Sequence, residues 1–275
     1  MSPLWRDEIG AYLSPHRLCL VRMQRGVKPV PAATHEQHLA PSGVSFGPAL
    51  EAFASVLAQP TWAGTRTRIV IADHWARYAI VPPVATLSSA QERLAYGRQL
   101  LAGLYGEAVE GWELCISEAA PNSTRVICAV PGELLTGLRA ACAAQRSPLV
   151  SLQPQLIAAY ETWRHRLPSG NAWFVSIEQG SLAAAHLSDC GWDRVHGVRI
   201  GPDWLRELKR LQTFGRLAGN SREEGKVYVD APVAWREVVA ASPAAADATE
   251  LEWLEESSEA LTTLQRLDRA RRMAA

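Results

Sequence analysis

The first hydrophobic pattern along the chain is that of paired strands. Ile9 to Leu13 and Arg17 to Gln24, the second with Leu18, Leu20 and Met23 among β-formers, are separated by Ser14-Pro15-His16, which predicts a hairpin. Gly26 allows a second reversal, and the chain then passes Pro29, Pro31 and Pro41. Leu50, Phe53 and Leu57 recur at i, i+3 and i+7, so Pro48 to Ala58 reads as a helix. Arg68 to Asp73 and Tyr78 to Val81, the latter stopped by Pro82-Pro83, are short apolar runs with the look of buried strands. A helix follows from Ser88 to about Leu104, then strands over Trp112 to Ser117 and Arg125 to Val130. The segment Gly132 to Gln145 is helical and Ser147-Pro148 ends it. After an apolar Leu149 to Leu152, a helix opens at Pro154 and carries Leu156, Ile157, Tyr160 and Trp163 on one face.

The opening pattern then recurs. Asn171 to Ile177, Ser181 to Leu187 and Trp192 to Arg199 form a meander whose turns are Gln179-Gly180 and Asp189-Cys190-Gly191. A helix from Pro202 to about Arg216 and a strand at Val227 to Val229 follow it, as a helix and a strand follow the first meander. The chain therefore reads as two copies of one unit of strand, strand, strand, helix, strand. After an Ala/Pro-rich stretch, a last helix is expected over Glu250 to Arg272.

Composition narrows the functional classes. The 28 basic and 28 acidic residues cancel, which argues against a dedicated nucleic-acid binder. The five cysteines, Cys19, Cys115, Cys128, Cys142 and Cys190, make neither a CxxC pair nor an extracellular disulfide framework, so a reducing cytoplasm is expected. The start MSPLWRDEIG has acids where a signal peptide needs an apolar run, and no stretch approaches the length of a membrane span.

Several motifs invite chemistry and do not support it. Gly43-Val-Ser45-Phe-Gly47 spells a nucleophile elbow, but an elbow needs a buried strand before it, and THEQHLAPSG stands there instead. Gly219 to Lys226 has five residues between its glycines and Val227 where a phosphate loop needs Ser or Thr, so it reads as a helix-to-strand turn. His35 and His38 are three apart in a Pro-flanked segment and read as solvated loop residues. His186 and His196 fall on neighbouring strands of the second meander, where they can pair across the sheet, with Asp189, Asp193 and Asp203 nearby. The tail QRLDRARR complements a helix C-terminus. Most of the ten tryptophans are assigned to the core.

A duplicated meander feeding helices and further strands is the plan of the actin, Hsp70 and sugar-kinase fold. Within it, IGAYLSPHRLCLVRMQRG resembles the opening strand pair of the PilM family and of its type II secretion relative, the GspL cytoplasmic domain. WARYAIVPP (Trp75 to Pro83), AVPGELLTGLRAA (Ala129 to Ala141) and LQPQLIAAYETW (Leu152 to Trp163) are similar to later family segments in the same order. The resemblance implies an α/β, actin-like architecture: a first lobe over residues 1–153 with a small subdomain inserted at about 84–148, and a second lobe over 154–275.

Nucleotide-binding members of that fold carry Asp-x-Gly in the first turn, a carboxylate for Mg²⁺ and a glycine that lets backbone N–H groups reach phosphate. Tyr12 and Ser14 occupy those places here, and Ser176 and Glu178 occupy the second such turn. Asp230-Ala231-Pro232 stands where the fold keeps a Gly-Gly for adenosine. The resemblance thus implies no cofactor, no metal and no catalysis, with Tyr12, Ser14, Ser176 and Glu178 crowding an abandoned nucleotide cleft. The implied function is that of a cytoplasmic, non-enzymatic adaptor of a type IV pilus or type II secretion machine. It would bind the cytoplasmic segment of an inner-membrane partner and also meet an assembly ATPase. The alternative is an ATP-binding actin-like ATPase of the same machinery. Trp75, Arg77 and Tyr78, which open the small subdomain, are the expected partner anchors.

Overall fold

A computed structural model describes residues 7–24, 30–40, 43, 45–83, 87, 89–118, 123–189, 191–201, 203–218, 225–232, 235 and 251–254. In chain order its strands are β1 (Glu8–Leu13), β2 (Arg17–Gln24), β3 (Val30–His38), β4 (Arg66–Ile71), β5 (Arg77–Val81), β6 (Trp112–Ile116), β7 (Arg125–Pro131), β8 (Leu149–Pro154), β9 (Ala172–Glu178), β10 (Ser181–Ser188), β11 (Gly191–Arg199), β12 (Lys226–Asp230) and β13 (Leu251–Trp253). The helices are α1 (Gly47–Leu57), α2 (Ala90–Tyr105), α3 (Gly132–Ala144), α4 (Gln155–Trp163) and α5 (Trp204–Ala218). The chain divides into two units, one built from Met1–Trp75 and Pro131–Thr162, the other from Ala76–Val130 and Trp163–Ser258.

The first unit holds a five-stranded sheet in the order β3-β2-β1-β4-β8. β1, β2 and β3 are antiparallel neighbours, whereas β4 runs parallel to β1 and β8 parallel to β4. Ile9, Leu13, Leu18, Leu20, Ile69 and Ile71 are buried on this sheet, and α1 adds Phe53 and Leu57. α1 lies on α3 at Gly137, where a Cβ would stand 2.3 Å from Leu50 Cδ2, so a larger residue there would have to push the Leu50 side chain aside.

The second unit repeats this plan strand for strand. Its five-stranded sheet runs β11-β10-β9-β12-β13, again an antiparallel meander followed by two parallel neighbours. All seven residues of β9 are buried, the mark of a strand covered on both faces. Trp173, Val175, Ile177, Leu182, Trp204, Leu208, Val227 and Val229 make one cluster with α5. The unit also contains a three-stranded sheet, β5-β7-β6, covered on one face by α2. The helix starts at a capping box, in which Ser89 Oγ accepts the Glu92 N–H and Glu92 accepts the Ser89 N–H.

The duplicated unit expected from the sequence is present, with four differences. The segment of Pro31, His35 and His38 is not a loop but β3, paired with β2. Pro31 is tolerated because β3 is an edge strand and a bulge falls beside it, between Arg22 and Met23. α4 belongs to the first unit rather than the second, since Ala158 packs with Val21, Met23 and Val70. The segment at about 84–148 is divided, since Ala76–Val130, with the three-stranded sheet, groups with the second unit while α3 and β8 group with the first. Leu251–Trp253 pairs parallel with β12 as a strand instead of opening a helix. The Gly26 reversal, most of Gly219 to Lys226, Cys190 and the QRLDRARR tail lie outside the described residues.

β11 carries one titratable group with a consequence for stability. Burial pushes the His196 imidazole below its ordinary pKa, and nearby Arg194 adds to the effect. The unfolded chain then binds a proton that the folded one resists, so stability falls as pH drops through the ordinary histidine range near 6.5. His196→Gln is expected to flatten the loss of melting temperature between neutral pH and pH about 5. A pH series of thermal melts on both proteins measures this.

Candidate functional site

The first turn, between β1 and β2, is closed on itself by Ser14. The buried Ser14 Oγ accepts the N–H of His16 at 3.3 Å and of Arg17 at 2.9 Å, and it donates to the Arg17 carbonyl at 3.2 Å. The Ser14 N–H donates to that same carbonyl at 2.9 Å. Pro15 has no N–H, so every backbone donor from 14 to 17 is consumed inside the turn. A phosphate-binding turn works the other way, with its N–H groups directed outward at the anion. Tyr12 likewise faces its own unit, where its ring packs against the cluster of Val21, Met23, Val70 and Ala158.

Ser14→Ala removes three hydrogen bonds at a buried position and strands two N–H groups. A loss of about 1–2 kcal/mol is expected, measured by denaturant unfolding.

The end of β4 continues this local network. Ala72 N–H donates to the Leu13 carbonyl at 2.8 Å, so residues 72 to 75 turn directly beside the β1–β2 turn. Asp73, buried in that turn, accepts the Leu156 N–H of the first turn of α4 at 3.2 Å. This is an N-terminal helix donor satisfied by a carboxylate from another element. Trp75 closes the turn and is buried.

In the second unit, β9 and β10 are joined by Gln179 and Gly180, and Gly180 has φ +82°, the left-handed position such a turn needs. Glu178 is buried beside it and accepts the Ser181 hydroxyl at 3.3 Å. The Gly180 carbonyl accepts the Ile200 N–H at 3.1 Å. Ser176, fully buried on β9, stands opposite Asp230 of β12. Asp230 is also fully buried and accepts the Trp163 indole N–H at 3.0 Å. Arg166 covers that indole at 5.4 Å and donates to the Leu254 carbonyl at 3.1 Å. The Asp230 carboxylate is thus a seat for a tryptophan.

His186 sits at a second polar junction in this unit. Its Nδ1 lies 2.6 Å from Asp193 Oδ1 and its Nε2 2.7 Å from Asn171 Oδ1, with the Trp173 ring at 4.9 Å. The expected pairing with His196 does not form, because the register sets His186 against Arg194 and His196 against Ala184. The imidazole is an anchor that ties β9, β10 and β11 together.

The expected partner anchors are placed differently from one another. Trp75 and Tyr78 are buried, which removes them from the surface. Arg77 is half-buried, donates to the Ala76 carbonyl at 2.7 Å and lies 5.8 Å from the Tyr105 ring. Among the described residues around the three-stranded sheet, the exposed large apolar ones are Leu104 and Tyr105, at the end of α2. Ser45 is exposed and receives the Gly47 N–H at 3.3 Å at the start of α1, a helix-entry role rather than that of a nucleophile. Among the described residues, no group of three or more His, Cys, Asp or Glu side chains is arranged to hold a metal ion. No described helix is long and apolar enough to cross a membrane.

No protein-family model matches the chain, and no curated protein matches it. Solved structures do. A chain of a PilM-PilN type IV pilus biogenesis complex superposes with a TM-score of 0.67 at 15% identity, over 98% of this chain and 99% of that one. A Bacteroides thetaiotaomicron protein with an actin-like ATPase fold gives 0.65 at 12% identity, over 97% and 98%. The cytoplasmic domain of EpsL, an inner membrane component of the type II secretion system of Vibrio cholerae, gives 0.58 at 12% identity, over 98% and 96%. The chain therefore has the actin-like fold, matched nearly end to end by these structures.

Proposed function

We propose that this chain is a non-enzymatic scaffold of a type IV pilus or type II secretion assembly, holding the cytoplasmic segment of an inner-membrane protein and binding no nucleotide. The observation that carries the second half is the β1–β2 turn, whose donors from 14 to 17 are all bonded to Ser14 and Arg17. Binding phosphate there would require the Ser14 staple to open. The first half is supported by the likeness to PilM-PilN and EpsL structures together with the ordered sequence segments quoted above. A protein with no nucleotide to shift its conformational equilibrium acts as a fixed platform.

The test has two parts. A ligand at 100 times its dissociation constant stabilises a fold by about 2.7 kcal/mol, so a working ATP site would produce a clear rise in melting temperature with Mg-ATP. No rise is expected. The cytoplasmic segment of its inner-membrane partner should bind with the same affinity in the presence and absence of Mg-ATP. A several-fold dependence on ATP would favour the ATPase reading instead.

A further inference from the structure

Two cysteines far apart in the hydrophobic pattern are brought face to face by the small sheet. β6 and β7 are neighbours, and the eight residues between them, 117 to 124, are too few for a parallel crossover of about a dozen, so they are antiparallel. The register follows from one bond: the Ser117 N–H donates to the Val126 carbonyl at 2.8 Å. Stepping two residues along each strand from that pair sets Cys115 opposite Cys128. The same register sets Pro131 against Trp112, which explains why β7 continues to Pro131 beyond Ala129, its last residue paired with β5. The faces agree as well. Trp112, Leu114, Ile116, Ile127 and Ala129 all point into the cluster beneath α2, so Cys115 and Cys128 share the other face.

Directly opposed residues in such a bonded pair have Cα atoms about 5.5 Å apart, inside the range of about 4.4–6.8 Å that a disulfide spans. Cys115 is exposed and Cys128 half-buried, and none of the four described cysteines is in a disulfide. We propose that Cys115 and Cys128 form a dithiol site that exchanges with low-molecular-weight disulfides and closes a cross-strand bond between β6 and β7.

The exposed Cys115 thiolate attacks one sulfur of the small disulfide. That S–S bond breaks, one thiol leaves and takes up a proton, and a mixed disulfide stands on Cys115. The Cys128 thiolate then attacks Cys115 Sγ and expels the second small thiol. Two cysteine thiols are oxidised by two electrons, and the external disulfide is reduced to two thiols. Cys19 and Cys142 do not compete, since both are buried and burial pushes each thiol up to about 11.

The chemistry can be read directly in the full-length protein. Arg125 lies between the two cysteines, so trypsin separates them onto different peptides. After treatment of the reduced protein with oxidised glutathione, a non-reducing digest is expected to yield the Cys115 and Cys128 peptides joined, and separate after reduction. Cys128→Ser should trap one glutathionyl group on Cys115, and Cys115→Ser should leave Cys128 unmodified over the same time. Separate glutathionyl groups on both cysteines of the wild type, an unmodified Cys115, or Cys115 joined to any other cysteine would overturn the proposal.

Discussion

Trp204→Ala is expected to cost the second unit about 3–5 kcal/mol, the range for deleting a large aromatic from a packed core. Trp204 is the first residue of α5 and is the largest fully buried side chain among the described residues. Its ring fills the space between the helix and the β9, β10 and β12 faces, with Trp253 edge-on at 6.1 Å. Removing the indole leaves a cavity that rigid strands on one side and a helix on the other cannot collapse to fill. Trp204→Phe separates volume from polarity. Its indole N–H is buried with no hydrogen-bond partner among the described residues, so phenylalanine gives up some packing but relieves an orphan donor. A much smaller loss than for alanine is expected, and chemical denaturation of the two variants measures the difference.

Gly225→Ala should also be costly, by about 1–3 kcal/mol, although alanine is ordinarily a mild replacement. Gly225 directly precedes β12, and a Cβ there would stand 2.7 Å from the Asn171 carbonyl oxygen and 2.9 Å from its carbonyl carbon. Backbone cannot rotate away as a side chain can. The same Cβ would stand 2.9 Å from Asn171 Oδ1, the atom that meets His186. The clash therefore strikes both the entry to β12 and the anchor of the meander. Gly197→Ala is the control, because a Cβ at that position meets nothing within 4 Å. It should be neutral or slightly stabilising through the unfolded chain, and a comparison of the two melting curves checks both statements.

The residues of the first turn, Tyr12 and Ser14, were legible as single positions in the sequence. What such residues bond to was not legible. That Ser14 would bind the N–H groups of His16 and Arg17 depends on the turn's backbone path, and that Asp230 would hold Trp163 joins positions 67 residues apart. Trp75 and Tyr78 show the same limit. Trp75 falls in the turn before β5, where strand alternation does not apply, and Tyr78 falls on β5, which has α2 on one face and β11 against it as well, so alternation could not say that either is buried.

The sequence by itself determined the local elements and their duplication, since a strand pair, an apolar turn of helix or a proline stop is written within a few neighbouring residues. Only the tertiary structure decided that the Pro31 segment completes an edge strand, that α4 packs under the first sheet, that β5 opens the small sheet, and that Leu251–Trp253 closes the second one. The physical reason is the same in each case. Periodicity reports which way a residue points relative to its neighbours in sequence, whereas the partner on the far side of a hydrogen bond or a packed face is chosen by segments tens of residues away, through the burial and pairing that the whole unit makes possible.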